Sequence, residues 1–176
     1  EEMRALSDTA HKSNSLFVVS ADPLAAVMYK APGDYGADIV VGEGQGLGIP
    51  ISFGGPYIGL FACKSEYLRQ MPGRIVGKTV DKRGDSAFVL TLQTREQHIR
   101  RERATSNICT SEALMGLMMT IYVATLGKSG LQQVASSCFH NAHYAAEQIS
   151  QLDGFELINY QPFFNEFVIA CPISPK

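Results

Sequence analysis

The sequence predicts an α/β protein, and three observations carry that expectation. Short continuous apolar runs at Leu16-Phe17-Val18-Val19, Asp38-Ile39-Val40-Val41 and Ile58 to Cys63 are set between turn residues, the pattern of strands covered on both faces. Two helical stretches with apolar residues at i, i+3, i+4 and i+7 occupy the region 110–150. Two further strand-like runs, Phe155–Ile158 and Phe167–Cys171, follow them and belong to a second sheet.

The elements follow in chain order. Residues 4–12 read as the end of a helix, and the first strand leads to Asp22-Pro23 and a small apolar segment reaching Met28. Pro32-Gly33-Asp34-Tyr35-Gly36 is a turn, because proline presets φ and glycine tolerates positive φ. After the third strand the texture changes, and a boundary is placed near residues 70–75. Ile75–Val80 and Ala87–Leu92 flank Asp81-Lys82-Arg83-Gly84, which predicts a β-hairpin. A charged stretch runs from Thr94 to Arg103. The next helix has Thr110 or Ser111 as its N-cap, carries Leu114, Leu117, Met118 and Ile121, and closes at Gly127. A second helix, with Ser129 as a cap, has Leu131, Val134, Ala135, Cys138, Ala142, Ala145 and Ile149 on one face.

Composition narrows the function classes. The chain has 176 residues, 45% hydrophobic and 18% charged, with a net charge of −2. That is the profile of a soluble globular chain long enough to bury a core. It lacks the basic excess that general nucleic-acid binding requires. No uninterrupted apolar run approaches the roughly 20 residues of a membrane span. The first residues resemble neither a signal peptide nor an initiation site, and the last follow directly on a strand, so both ends read as cut. Cys63, Cys109, Cys138 and Cys171 form no C-x-x-C pair and read as buried free thiols.

Four patterns bear on chemistry. The run Gly42-Glu43-Gly44-Gln45-Gly46-Leu47-Gly48, continuing to Gly54-Gly55-Pro56, follows a strand at the end where α/β folds place ligands. Its spacing is not that of a dinucleotide fingerprint, so a ligand-lining loop and a tight structural crossing both remain open. Gly127-Lys128-Ser129 is no phosphate loop, since the earlier glycine that motif needs is Tyr122. His140 and His143 share a helix face without a third ligand at suitable spacing. They read as a solvated or partner-facing pair, with a metal site as the alternative. The stretch 94–107 holds Arg95, Arg100, Arg101 and Arg103 and runs into Thr105-Ser106-Asn107 before a helix start. Such a set suits either a solvated face or recognition of carboxylates, phosphates or a partner subunit.

Three segments together carry a resemblance. They are Tyr35–Gly42 with its glycine loop, Ser52-Phe53-Gly54-Gly55-Pro56-Tyr57-Ile58-Gly59-Leu60-Phe61-Ala62, and Gln93 through Thr110. They resemble the glycine dehydrogenase (decarboxylating) family, the P-protein of the glycine cleavage system. The likeness is to subunit 1 of its two-subunit form or the N-terminal half of its fused form, and it spans the chain as an internal fragment. It implies a type I pyridoxal-phosphate-dependent transferase fold. Residues 1–72 would be the end of the large-domain α/β/α sheet, 73–108 a hairpin and Arg-rich connector, and 109–176 the start of the small α+β domain.

The family's reaction is pyridoxal-phosphate-dependent glycine decarboxylation, with aminomethyl transfer to the lipoyl arm of H-protein. In its catalytic half a lysine holds the cofactor as a Schiff base. The position that matches this lysine here, counted back from Gly54-Gly55-Pro56, is Gln45, whose amide cannot form that bond. The resemblance therefore implies no catalytic or cofactor-binding residue in this chain, with the cofactor held by the catalytic subunit or half. Asp22, placed like the acid that pairs with the pyridine nitrogen in active relatives, becomes structural. Arg95, Arg100, Arg101, Arg103, Thr105, Ser106 and Asn107 become candidate contacts to the catalytic partner.

The expected partners are that subunit and lipoylated H-protein, in a cytoplasm or a mitochondrial matrix. The isolated fragment should be inactive and should self-associate through uncovered faces. A stand-alone anion-binding module built on the glycine loop and arginines is the alternative. A competent aminotransferase-like enzyme would need a lysine after strand 38–41, and none is there.

Overall fold

The computed structural model describes residues 2–92, 97–104, 106, 112–158 and 162–172. It opens with helix α1 (Glu2–Lys12), then strand β1 (Val18–Ser20), a single helical turn α2 (Ala25–Met28) and a 3-10 turn at Pro32–Tyr35. Strands β2 (Ile39–Glu43) and β3 (Gly59–Cys63) complete a sheet of order β1-β2-β3. β1 and β2 are parallel with Val19 opposite Val40, and β2 and β3 are antiparallel with Val41 opposite Phe61. The parallel pair needs a crossover, which the segment through α2 and the 3-10 turn supplies. At Gly36 the backbone takes φ +102, and a Cβ there would lie 2.4 Å from the buried Ser7 hydroxyl oxygen of α1. Only glycine fits both constraints.

The strands are not covered on both faces as the sequence suggests. Val19 is buried, whereas its neighbour Val18 and, on β3, Phe61 are exposed. Alternation sends successive side chains to opposite faces, so one face of the sheet is open among the described residues.

The hairpin forms as β4 (Ile75–Val80) and β5 (Ser86–Thr91), antiparallel with Val80 opposite Ser86. Its turn is held by Asp81, whose Oδ1 accepts the amides of Arg83 at 2.7 Å and Asp85 at 3.0 Å. A short helix α3 (Gln97–Arg100) and a 3-10 turn at Arg101–Arg103 follow. Helix α4 is assigned from Ala113 to Ser150, but Gly127 stands within it at φ 60 and ψ −170. The expected break at Gly127 is therefore present, between segments 113–126 and 128–150. Glu112, without a side-chain capping bond, occupies the N-cap. Thr110 and Ser111, the expected caps, lie outside the described residues. Strands β6 (Glu156–Ile158) and β7 (Val168–Ala170) pair antiparallel.

By length and composition alone α4 is apolar enough to cross a membrane, a feature that counting uninterrupted apolar residues misses. The break divides it, and the segment 113–126 is about 21 Å long against a hydrocarbon core of about 30 Å. Segment 128–150 carries Lys128, His140, His143 and Glu147. The geometry and the charges both disfavour a span.

The core lies between the sheet and α4. Leu24, Leu47 and Ala135 are buried together, with Leu60, Met119, Tyr122, Val123 and Leu131 packed around them. The second half of α4 uses the face that periodicity marks. The first half does not: Leu114, Leu117 and Ile121 are exposed, while Met119, Tyr122 and Val123 face the core. This segment has apolar residues on both sides, so periodicity alone cannot choose which is inward.

Candidate functional site

The carboxyl ends of β1 and β2 open into a cavity of about 730 Å³, walled on the far side by α4 and the segment before β7. Ser20, Ala21 and Asp22 enter from the end of β1, and Gly42, Glu43, Gln45 and Gly46 from the glycine loop. Val134, Cys138, Asn165 and Glu166 close it. This is the place where an α/β sheet presents a ligand.

The loop's own bonds decide what it can hold. The Gly44 amide donates to Ile58 O at 2.7 Å, Leu47 N to Gly44 O at 3.0 Å, and Ile49 N to Gln45 O at 3.1 Å. The Gln45 amide donates to Glu43 Oε1 at 3.0 Å. Four backbone donors of the loop, those of Gly44, Gln45, Leu47 and Ile49, are thus already engaged. Two of the glycines are explained by close approach: a Cβ on Gly42 would lie 2.5 Å from Ala21 O, and one on Gly44 2.7 Å from the Ile58 side chain. Of the two readings left open by the sequence, the geometry favours the structural crossing.

Gln45 is half-buried, and its Nε2 donates to Ile49 O at 2.6 Å. The side chain braces its own loop instead of reaching across the cavity. Asp22 Oδ1 accepts the amides of Leu24 at 2.7 Å and Ala25 at 3.2 Å, at the start of α2. Asp22, Glu43 and Glu166 are the charged groups lining the cavity among the described residues, and all are acidic. An anion entering here meets like charge.

A second charged cluster lies at the opposite end of β2, and sequence reasoning missed it. Asp38 is 3% exposed. Its Oδ1 accepts from Lys64 Nζ at 2.5 Å, and its Oδ2 lies 2.7 Å from the Phe17 amide and 2.8 Å from His11 Nε2. Burial by itself would raise the Asp38 pKa. The bonds from Lys64, Phe17 and His11 outweigh it and hold the carboxyl well below the usual carboxylate range. The Lys64 ammonium is raised in turn, chiefly by its bond to Asp38. An aspartate opening an apolar strand was the available signal, because a buried charge requires partners.

The other sequence candidates separate. Arg100, Arg101 and Arg103 are exposed on α3 and the turn after it, and Ser106 is half-buried. Arg95, Thr105 and Asn107 lie outside the described residues, as does Cys109. Cys63 and Cys138 are free and half-buried, whereas Cys171 is free but exposed, against the expectation of burial. His140 Nδ1 donates to Ser136 O at 2.7 Å. His143 is half-buried. Its ring stacks on Phe163 at 4.0 Å and lies 4.0 Å from Phe139, with Nε2 3.1 Å from Phe163 O. The two histidines thus have separate structural partners. Among the described residues no group of three or more His, Cys, Asp or Glu is arranged to hold a metal ion.

Comparison with known proteins places this geometry in a family. Residues 1–174 match the glycine cleavage system P-protein family. The chain is 60% identical over 173 residues to a probable glycine dehydrogenase (decarboxylating) subunit 1 of Chloroherpeton thalassium, covering 98% of this chain and 39% of that protein. It is 52% identical over 176 residues to the protein of the same description in Thermomicrobium roseum, again covering 39% of it. Among solved structures, an inhibitor-bound glycine decarboxylase (P-protein) of the glycine cleavage system superposes with a TM-score of 0.94 at 46% identity, over 98% of this chain and 40% of that one. Mouse CSAD superposes with a TM-score of 0.56 at 17% identity over 89% of this chain and 30% of that one, a likeness of fold alone. The chain spans about two fifths of the length of the relatives it matches.

Proposed function

Because the chain belongs to the glycine cleavage system P-protein family and has a type I pyridoxal-phosphate fold, we propose that it is part of the non-catalytic subunit or half of glycine decarboxylase. The observation that carries this reading is Gln45. It stands where the family's cofactor-binding lysine would be, and its amide is committed to Ile49 O. The cofactor does not fit here: no amine is poised in the cavity among its lining residues, the amides of Gly44, Gln45, Leu47 and Ile49 are engaged, and the charged walls are acidic. No chemical step is assigned to this cavity.

The complete enzyme would carry out pyridoxal-phosphate-dependent decarboxylation of glycine and pass the aminomethyl group to lipoylated H-protein. In that assembly the catalytic subunit or half holds the cofactor. This chain supplies the supporting scaffold, with the exposed Arg100, Arg101 and Arg103 facing carboxylates of the partner. The same engaged amides and acidic walls weigh against a stand-alone anion-binding module.

Purified full-length subunit, alone and paired with its partner, tests the reading. After borohydride reduction and peptide mapping, the cofactor label is expected on the partner only, with the band near about 420 nm absent from this subunit alone. A label on any lysine of this chain would overturn it.

A further inference from the structure

Between β6 and β7 the described residues 162–166 return to α4 and supply Asn165 and Glu166 to the cavity wall. Among the described residues no backbone–backbone hydrogen bond fixes this segment. What holds it is a set of rings. The His143 ring lies parallel to Phe163, at 4.0 Å and 4°, and rests on Phe139, one turn earlier on α4, at 4.0 Å and 35°. Its Nε2 donates to Phe163 O at 3.1 Å, the one hydrogen bond of the segment among the described residues. Phe164 meets Tyr29 edge-on at 6.1 Å and packs against the buried cluster of Leu24, Leu47 and Ala135.

A stretch of backbone without bonds of its own keeps one position only while its side chains are held. We infer that residues 162–166 are a strap closing the cavity, and that His143 is the positioning residue that pins it shut. A phenyl ring at position 143 would fill the same slot, but the imidazole adds a directed donor. The stack alone lets Phe163 slide across the ring face, and the hydrogen bond alone lets it swivel about the carbonyl. Together they fix both the ring and the backbone beside Asn165 and Glu166. Every one of these contacts is made inside this chain, whatever lies over the strap in the complete enzyme. What the pin controls is access. Freed, the strap would carry Asn165 and Glu166 away from the glycine loop and lift Phe164 off the core that it shares with Cys138.

The test uses the full-length subunit, with 4-fluorophenylalanine at position 164 followed by fluorine NMR and iodoacetamide labelling of Cys138 followed by peptide mapping. His143→Ala should move the fluorine resonance to a solvent-exposed position. It should also raise the Cys138 alkylation rate by about 10-fold or more, the scale set by one ring stack and one hydrogen bond. The rate at Cys63, half-buried on β3, should stay as it is. His143→Phe keeps the stack and loses the donor, whereas His143→Gln keeps a donor and loses the stack. Each should release the strap in part, raising the Cys138 rate by about 3-fold. No change at position 164 or at Cys138 in these variants overturns the inference. An equal rise at Cys63 overturns it too, as the mark of a loosened chain and not of an opened strap. If His143→Ala does not fold, the other two variants decide, and wild-type behaviour in both overturns the inference.

Discussion

At the carboxyl ends of β1 and β2, three carboxylates border an open cavity, whereas at the amino end of β2 a single carboxylate is enclosed by donors from three directions. The first region is where the fold would present a ligand, yet the amides of Gly44, Gln45, Leu47 and Ile49 and the Gln45 side chain are spent on bracing the loop. The second region fastens α1, the residue before β1 and the residue after β3 to one carboxylate. The charge that persists in the interior is the one whose every partner is supplied.

The sharpest way to break this comparison is to empty the enclosed end. Asp38→Ala leaves the Lys64 ammonium, the Phe17 amide and His11 without their acceptor, and should cost about 3 kcal/mol in denaturant unfolding of the full-length subunit. A loss under about 1 kcal/mol would mean that the knot is not structural.

The same end should govern acid stability. The Asp38 pKa is depressed in the folded state, so its contribution is complete above the unfolded-state value of about 3.9 and drains away as pH falls through the folded value. Lys64 has the opposite sign. It is raised on folding, so its contribution is complete below about 10.4 and is lost as pH climbs through the folded value. Unfolding midpoints followed from about pH 6 downward should fall more steeply for the native subunit than for Asp38→Asn, and equal slopes would remove Asp38 from the account.

The cavity end should respond through packing. Gly42→Ala forces a methyl against Ala21 O and should cost about 1–3 kcal/mol, with the β1–β2 edge less protected in hydrogen exchange. Neutral behaviour would show that the two strand ends can part freely.

The smallest effect is expected at Gln45. Gln45→Ala removes one hydrogen bond worth about 1 kcal/mol. Gln45→Lys should yield no visible band near about 420 nm in this subunit, because the acidic walls and engaged amides remain. A band appearing would show that a missing amine was the sole deficiency.

Much of this architecture was legible in the residues. The strands, the hairpin at Asp81–Gly84 and the break at Gly127 are written in local turn chemistry, which acts over a few residues and so survives in a linear reading. The bond of the Gln45 side-chain amide to Ile49 O was not legible, since that depends on how the loop folds back. The Asp38 knot joins residues 26 and 27 positions apart, and the His143 stack draws Phe163 from 20 positions away. Such pairings belong to tertiary structure. The orientation of segment 113–126 was illegible for another reason: both of its faces satisfy the apolar period, and the choice is made by what Leu24, Leu47 and Tyr122 leave room for.

Gly127 has a mechanical corollary. At φ 60 and ψ −170 it occupies a region of backbone space open in practice to glycine alone. Two rods meet there at an elbow whose angle is stored in a residue with no side chain. Any heavier residue would tend to straighten the joint and carry Val134 and Cys138, the wall of the cavity, away from the loop opposite.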